Sequence, residues 1–241
     1  MRWLTNWTKV RIGRAAANAV AQPMPKPEPE KPLLALDILV EKQGYGRTLR
    51  EKVSVAADGS PIPWYTYPAV EFFGQLDARG LRIFEFGCGH SSLFWAHKGA
   101  NVFAVEHDRA WFDKMSTMSA LLRQLELRES TAEYVRAIAD AGGEFDIIII
   151  DGVWRNECAQ ASLAHLRKGG CIILDNSDWY TDVADFFRRR EFLQVDFSGF
   201  GPINNYCWTT SLLVPAASVL SSRLKHPRPV GGIDVCKAAN W

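Results

Sequence analysis

Four consecutive isoleucines, Ile147 to Ile150, close the stretch Glu144-Phe145-Asp146 and are followed by Asp151-Gly152. Side chains alternate between the two faces of a strand, so a strand can be apolar at every position only when both faces are covered. The run therefore demands helices on each side of a sheet. Cys171 to Leu174 repeats the pattern and ends in Asp175-Asn176. Between the two, Asn156 to Leu166 has helical character, which Lys168-Gly169-Gly170 is expected to stop. Strand, helix and strand in alternation imply a parallel sheet, whose ligands sit beyond the carboxyl ends of the strands. Asp151, Asp175 and Asn176 are expected on that edge.

Residues 82–108 form a second unit of this kind. Arg82 to Phe86 is rich in β-formers and runs into Gly87-Cys88-Gly89-His90-Ser91-Ser92, followed by a helical apolar pattern at Leu93, Phe94 and Trp95. Two glycines at a strand-to-helix junction let a ligand approach the main chain closely. Ser91 and Ser92 are placed to cap the new helix. The next strand, Asn101 to Val105, ends in Glu106, where a carboxylate can accept hydrogen bonds from both hydroxyls of a ribose. Together the turn and the acid point to a nucleoside site. Taken apart, the glycines make only a tight turn and Glu106 is a solvated strand end.

Glu85-Phe86-Gly87-Cys88-Gly89 resembles motif I (E/D-x-G-x-G) of the class I S-adenosylmethionine-dependent methyltransferases, and Val105-Glu106-His107-Asp108 resembles their second-strand acidic motif. Ser91 stands where a third glycine is often found. The resemblance covers roughly residues 64–214. It implies an α/β fold: a doubly wound, mostly parallel seven-stranded sheet with helices on both faces and an antiparallel last strand. It also implies S-adenosylmethionine as cofactor, held by Glu85, Gly87, Cys88, Gly89, His90, Ser91, Ser92, Glu106, His107 and Asp151, with Glu129 or Ser130 facing the adenine.

Asp151, Asp175 and Asn176 further resemble the metal ligands of the catechol O-methyltransferase group, which implies Mg²⁺ or Ca²⁺ lowering the pKa of a substrate hydroxyl. The lysine base of that group is replaced by Trp154, with Arg155 next to it. Arginine stays protonated, so Asp151, His107 or Asp178 has to take the proton, or the metal alone suffices. The alternative for Asp175-Asn176 is a turn that caps the following segment.

Trp64, Tyr65 and Tyr67 precede a helix expected from Pro68, and Trp154, Arg155, Trp179 and Tyr206 lie in loops near the sheet edge. Trp64, Tyr67, Trp154, Arg155 and Tyr206 are expected substrate contacts, with core packing the alternative for the aromatics ahead of Pro68. Ser198 to Tyr206, with two glycines and a proline, reads as a turn-rich connection between the last two strands. The expected reaction is O-methylation of a small-molecule or glycan hydroxyl. A nicotinamide-dependent oxidoreductase is disfavoured because Ser92 takes the last place of G-x-G-x-x-G. A non-catalytic methyltransferase-like binding module is the other rival.

The formal charge of +1 argues against a nucleic-acid-binding surface. Residues 1–22 carry +4 and those from 215 on carry +3, which leaves −6 between them. Residues 1–20 read as a basic amphipathic helix that docks on a membrane surface, its own domain or a neighbouring subunit of a homo-oligomer, or as a transit peptide. Gln22 to Pro32 is a proline-rich linker, so the expected division is 1–32, a domain over 33–214 and a tail over 215–241. Five scattered cysteines without a C-x-x-C pair suggest neither a disulfide framework nor a zinc ribbon, consistent with a reducing cytoplasm.

Overall fold

The computed structural model describes residues 31–215. The expected basic helix, most of the proline-rich linker and the tail beyond Pro215 lie outside the described residues. The described residues divide into two units, 31–36 and 37–215. In the first, the described residues lie in helix α1 (Lys31–Asp37), and helix α2 (Tyr45–Glu51) belongs to the second.

In the second unit, β1 (Arg82–Phe86), β2 (Asn101–Glu106), β3 (Gln124–Leu127), β4 (Phe145–Ile150), β5 (Leu166–Leu174), β6 (Leu193–Gly199) and β7 (Trp208–Val214) form one sheet. Their order is β3-β2-β1-β4-β5-β7-β6. β1 to β5 pair in parallel, and β7 enters antiparallel between β5 and β6. This is the expected seven-stranded α/β sheet with an antiparallel last strand.

The isoleucine run explains why two layers of helices form. Ile147 and Ile149 pack with Ile83 and Ile173 against Phe73 of α3 (Tyr67–Gly74) and Trp95 of α4 (His90–His97). Ile148 and Ile150 face the other way, towards Ile138 of α6 (Thr131–Asp140), Ala159 of α7 (Arg155–His165) and Phe187 of α8 (Thr181–Arg188). All four isoleucines are 0% exposed. Burial of this order, roughly 1.5–3 kcal/mol per side chain, locks β4 at the centre.

Local details differ from expectation in three places. Helix α7 ends at His165, one residue before the expected Leu166, but Lys168-Gly169-Gly170, expected to stop it, lie inside β5, where the pairing with β4 shifts register between Phe145 and Ile147. Ser198 and Gly199 extend β6 instead of opening the loop. Helix α5 (Arg109–Ser116) is shorter than the apolar pattern to Leu122 suggests and gives way to a 3₁₀ turn at Ser119–Leu121. The hydroxyls of Ser116 and Thr117 bond back to the carbonyls of Asp113 and Lys114, a local alternative to helix continuation. Among the described residues, no helix is long and apolar enough to cross a membrane.

Candidate active site

β2 and β3 lie on one side of β1 and β4 lies on the other, so the strand order reverses between β1 and β4. A crevice opens at such a switch point. The glycine turn after β1 and the end of β4 meet there: the Gly87 N–H donates to Val105 O at 2.9 Å, and the Asp151 N–H to Phe86 O at 3.1 Å. Gly87 has φ +102°, and a Cβ on it would stand 3.2 Å from Gly152 N and 3.3 Å from the Asp151 carbonyl carbon. Close backbone approach and positive φ both require glycine. At Gly89 a Cβ would meet only Ser91 Oγ, at 3.8 Å, because this residue borders a cavity of about 520 Å³. Glu85, Gly87, Cys88, His90, Ser91, Asp151 and Asp175 also line it.

Glu85 ends inside this wall, 1% exposed. The Ser91 and Ser92 hydroxyls donate to its two carboxylate oxygens, and Ser92 Oγ accepts the Gly89 N–H at 3.2 Å. Both serines therefore hold a carboxylate, and Ser92, at the third helical position, also caps α4 as expected by accepting the N-cap N–H. Burial pushes the Glu85 pKa up to about 8, against the pull of the two serine hydroxyls.

Glu106 sits behind the turn and not on the cavity wall. Its Oε1 accepts the N–H groups of His107 and Asp108 at 2.7 and 2.8 Å, and its Oε2 accepts the Cys88 N–H at 3.3 Å. His107 is drawn back with it, Nδ1 2.9 Å from Glu106 Oε1, and its ring stacks edge-on against Trp154 at 5.7 Å. Ser130 caps α6 by accepting the Glu133 N–H, and Glu129 pairs with Arg109 at the surface. Neither Ser130 nor Glu129 lines the cavity. Trp111, in the first turn of α5, does, and its indole N–H donates to Cys88 O at 2.7 Å. Its place could have been read from Asp108, whose carboxylate caps α5 through the Trp111 N–H at 2.7 Å and turns residue 111 back towards the glycine turn.

Arg155 links Asp151 to the backbone of Asp175. Arg155 Nη2 lies 3.3 Å from Asp151 Oδ1, while Nη1 donates to the Asp175 carbonyl oxygen. Asp175 is 3% exposed, and its Oδ1 accepts Trp208 Nε1 at 3.1 Å and the Thr210 hydroxyl at 2.5 Å. Burial raises the Asp151 pKa to about 6, with Arg155 opposing the rise. Burial and the neighbouring Asp151 charge push Asp175 well above the usual carboxylate range.

These residues do not fit the expected metal. A guanidinium already provides the cation beside Asp151, and Asp175 is committed to the core. Asn176 takes φ +52° and its carbonyl accepts the N–H groups of Trp179 and Tyr180, as a turn residue does. Among the described residues there is no group of three His, Cys, Asp or Glu placed to hold a metal ion.

The mouth is aromatic. Trp64, Trp179 and Tyr206 line it, each about half exposed, and Trp208 lies deeper. Lys52 to Ser54, Ile203 and Asn204 complete this side, and of these Lys52 to Ser54 and Ile203 were not among the expected site residues. His90 anchors that segment, Nδ1 2.6 Å from Ser54 O. Nothing in the local sequence marks Lys52 to Ser54, because contacts distant in the chain place them. Tyr67 is buried against the core, Trp154 takes φ +49° beside His107, and Arg155 is enclosed in its ion pair, so none of these three lines the cavity. Asp178 accepts the Thr209 N–H at 3.0 Å and pins β7, outside the cavity.

No protein-family model matches the chain, and no curated protein matches it. Many solved structures are similar in fold. A methyltransferase from Geobacter sulfurreducens is 15% identical with a TM-score of 0.46, over 83% of this chain and 96% of that one. An rRNA methylase from Streptococcus thermophilus is 16% identical with a TM-score of 0.46, over 62% of this chain and 98% of that one. Magnesium protoporphyrin IX methyltransferase from Synechocystis, with S-adenosylmethionine bound, is 15% identical with a TM-score of 0.42, over 58% and 72%. On its strand order and antiparallel seventh strand, the chain has the Rossmann-like fold of the class I S-adenosylmethionine-dependent methyltransferases.

Proposed function

We propose that the chain is an S-adenosylmethionine-dependent methyltransferase whose acceptor is a hydroxyl of a small molecule or glycan. The observation that carries this reading is the cavity at the switch point, where the glycine turn leaves open space at Gly89 beside the enclosed carboxyl of Glu85. Bound there, the cofactor would supply an electrophilic methyl group for transfer to the acceptor oxygen, and the chain's own residues would hold it and take up the hydroxyl proton. Glu85 receives the amino group of the methionine end, since a nearby ammonium restores the charge that burial suppresses. Glu106, behind the turn, orders it through the Cys88 N–H and so shapes the ribose side of the site without lining the cavity.

Asp151 takes the acceptor proton. Its side chain keeps 22% of its surface, borders the cavity, and with a pKa of about 6 is ionised at neutral pH while still basic enough to serve. Arg155 orients it. Isothermal titration with S-adenosylmethionine and S-adenosylhomocysteine tests the cofactor assignment, and no heat at millimolar ligand removes it. Methylated product from an acceptor screen separates an enzyme from a binding module.

A further inference from the structure

The half of the cavity away from the glycine turn has a distinct build. Trp179, Tyr206 and Trp208 form a chain of rings, with centroids 6.1 and 6.0 Å apart and planes inclined by 40° and 62°. Trp179 and Tyr206 are 56% and 45% exposed, large apolar surfaces left open at a cavity mouth. Asn176 and Asn204 line the same half of the cavity.

The wall is held rigidly. Ile203 takes φ +69°, costly for a β-branched residue, and its N–H donates to Thr48 Oγ1 at 2.9 Å. Asn204 O accepts the Tyr45 hydroxyl at 3.0 Å. Among the described residues, three of the five non-glycine residues with positive φ, Lys52, Asn176 and Ile203, border this cavity. Strain sustained by such contacts marks a preorganised surface.

Three ligand chemistries suit aromatic walls, and the geometry separates them. A flat aromatic ring can stack on one of these splayed panels and meet the next edge-on, but it leaves the two asparagines beside them without hydroxyl partners. An organic cation needs uncompensated negative charge within the cage. Here Asp175 is engaged by Trp208 and Thr210, Asp151 is paired with Arg155, and Lys52 adds positive charge at the rim. A puckered ring with C–H bonds on its faces and hydroxyls at its edge fits both features: its C–H faces meet inclined aromatic faces, and the amides, each with donors and an acceptor, pair with neighbouring hydroxyls. We infer that this half of the cavity binds a pyranose ring, which makes the acceptor a saccharide hydroxyl. The inference rests on the proposed methyltransferase reading and names its substrate class.

The test uses the full chain saturated with S-adenosylhomocysteine. Failure of that ligand to bind in a prior titration defeats the methyltransferase reading itself, a result distinct from any failure of the saccharide site. Saturation-transfer NMR is then run with a set of methyl hexopyranosides, with catechol and with choline. At least one glycoside is expected to receive saturation at its ring protons. Trp179→Ala and Tyr206→Ala, both at exposed positions, are each expected to weaken that glycoside at least fivefold while changing S-adenosylhomocysteine affinity less than twofold. Transfer to catechol or choline without any glycoside, transfer to no probe, or glycoside binding indifferent to both variants overturns the inference.

Discussion

Arg155 Nη2 stands 3.3 Å from Asp151 Oδ1, and the same guanidinium lies 4.2 Å over the Tyr180 ring. The pair occupies the end of β4 and the first turn of α7, where a divalent ion was expected from the sequence. A fixed, permanently charged partner restrains the rise in the Asp151 pKa and sets its orientation without occupying its cavity side.

If Asp151 is the base, kcat rises with pH through about 6, because only the ionised carboxylate can accept the proton. Arg155→Met removes the opposing charge and moves that limb to higher pH. It also costs about 3 to 5 kcal/mol of stability, as an ion pair loses its buried partner. Asp151→Asn loses turnover while S-adenosylhomocysteine affinity, measured by titration, persists.

Glu85 is largely protonated at pH 7, since its pKa is raised to about 8. An ammonium docking beside it lowers that pKa, so binding releases up to one proton. Titration at pH 7 in buffers of different ionisation enthalpy is expected to detect this release, and Glu85→Gln is expected to abolish it. In the ligand-free protein the raised pKa means that stability is greatest below about 4.5 for this group and is lost as pH rises through about 8. Urea unfolding should show a shallower decline over that window in Glu85→Gln.

Glu106→Ala removes the acceptor for three backbone N–H groups as well as any ribose contact. Affinity for S-adenosylhomocysteine is expected to fall by about 1 to 3 kcal/mol. An unchanged affinity, read by calorimetry, would show that the ribose lies elsewhere.

A side chain at Gly89 projects into open cavity, so Gly89→Leu should leave the unfolding midpoint nearly unchanged yet weaken cofactor binding by about 1.4 kcal/mol or more, a tenfold effect. Gly87→Leu, which meets backbone at φ +102°, should instead fail to fold well. The contrast is measured by thermal melts alongside titration.

Activity is expected to persist in EDTA, because the guanidinium of Arg155 supplies the cation beside the Asp151 carboxylate. Loss of turnover restored by added Mg²⁺ would contradict the ion-pair account of this floor.

Much of the architecture was legible in the residues themselves. Ile147 to Ile150 demanded two helical layers, the turn at Gly87 to Gly89 announced its junction, and both follow from local rules: side-chain alternation and the backbone freedom of glycine. The placement of Asp151 at the sheet edge followed from the same alternation. What tertiary structure alone decided was direction and company. Whether Ser91 and Ser92 reach Glu85, whether Arg155 reaches solvent or Asp151, and whether Lys52 and Ile203 join the cavity depend on groups brought together by packing. Sequence periodicity carries the face on which a residue lies, but a charged side chain in a dry crevice is settled by which partner can satisfy it, and that partner is often distant in the chain.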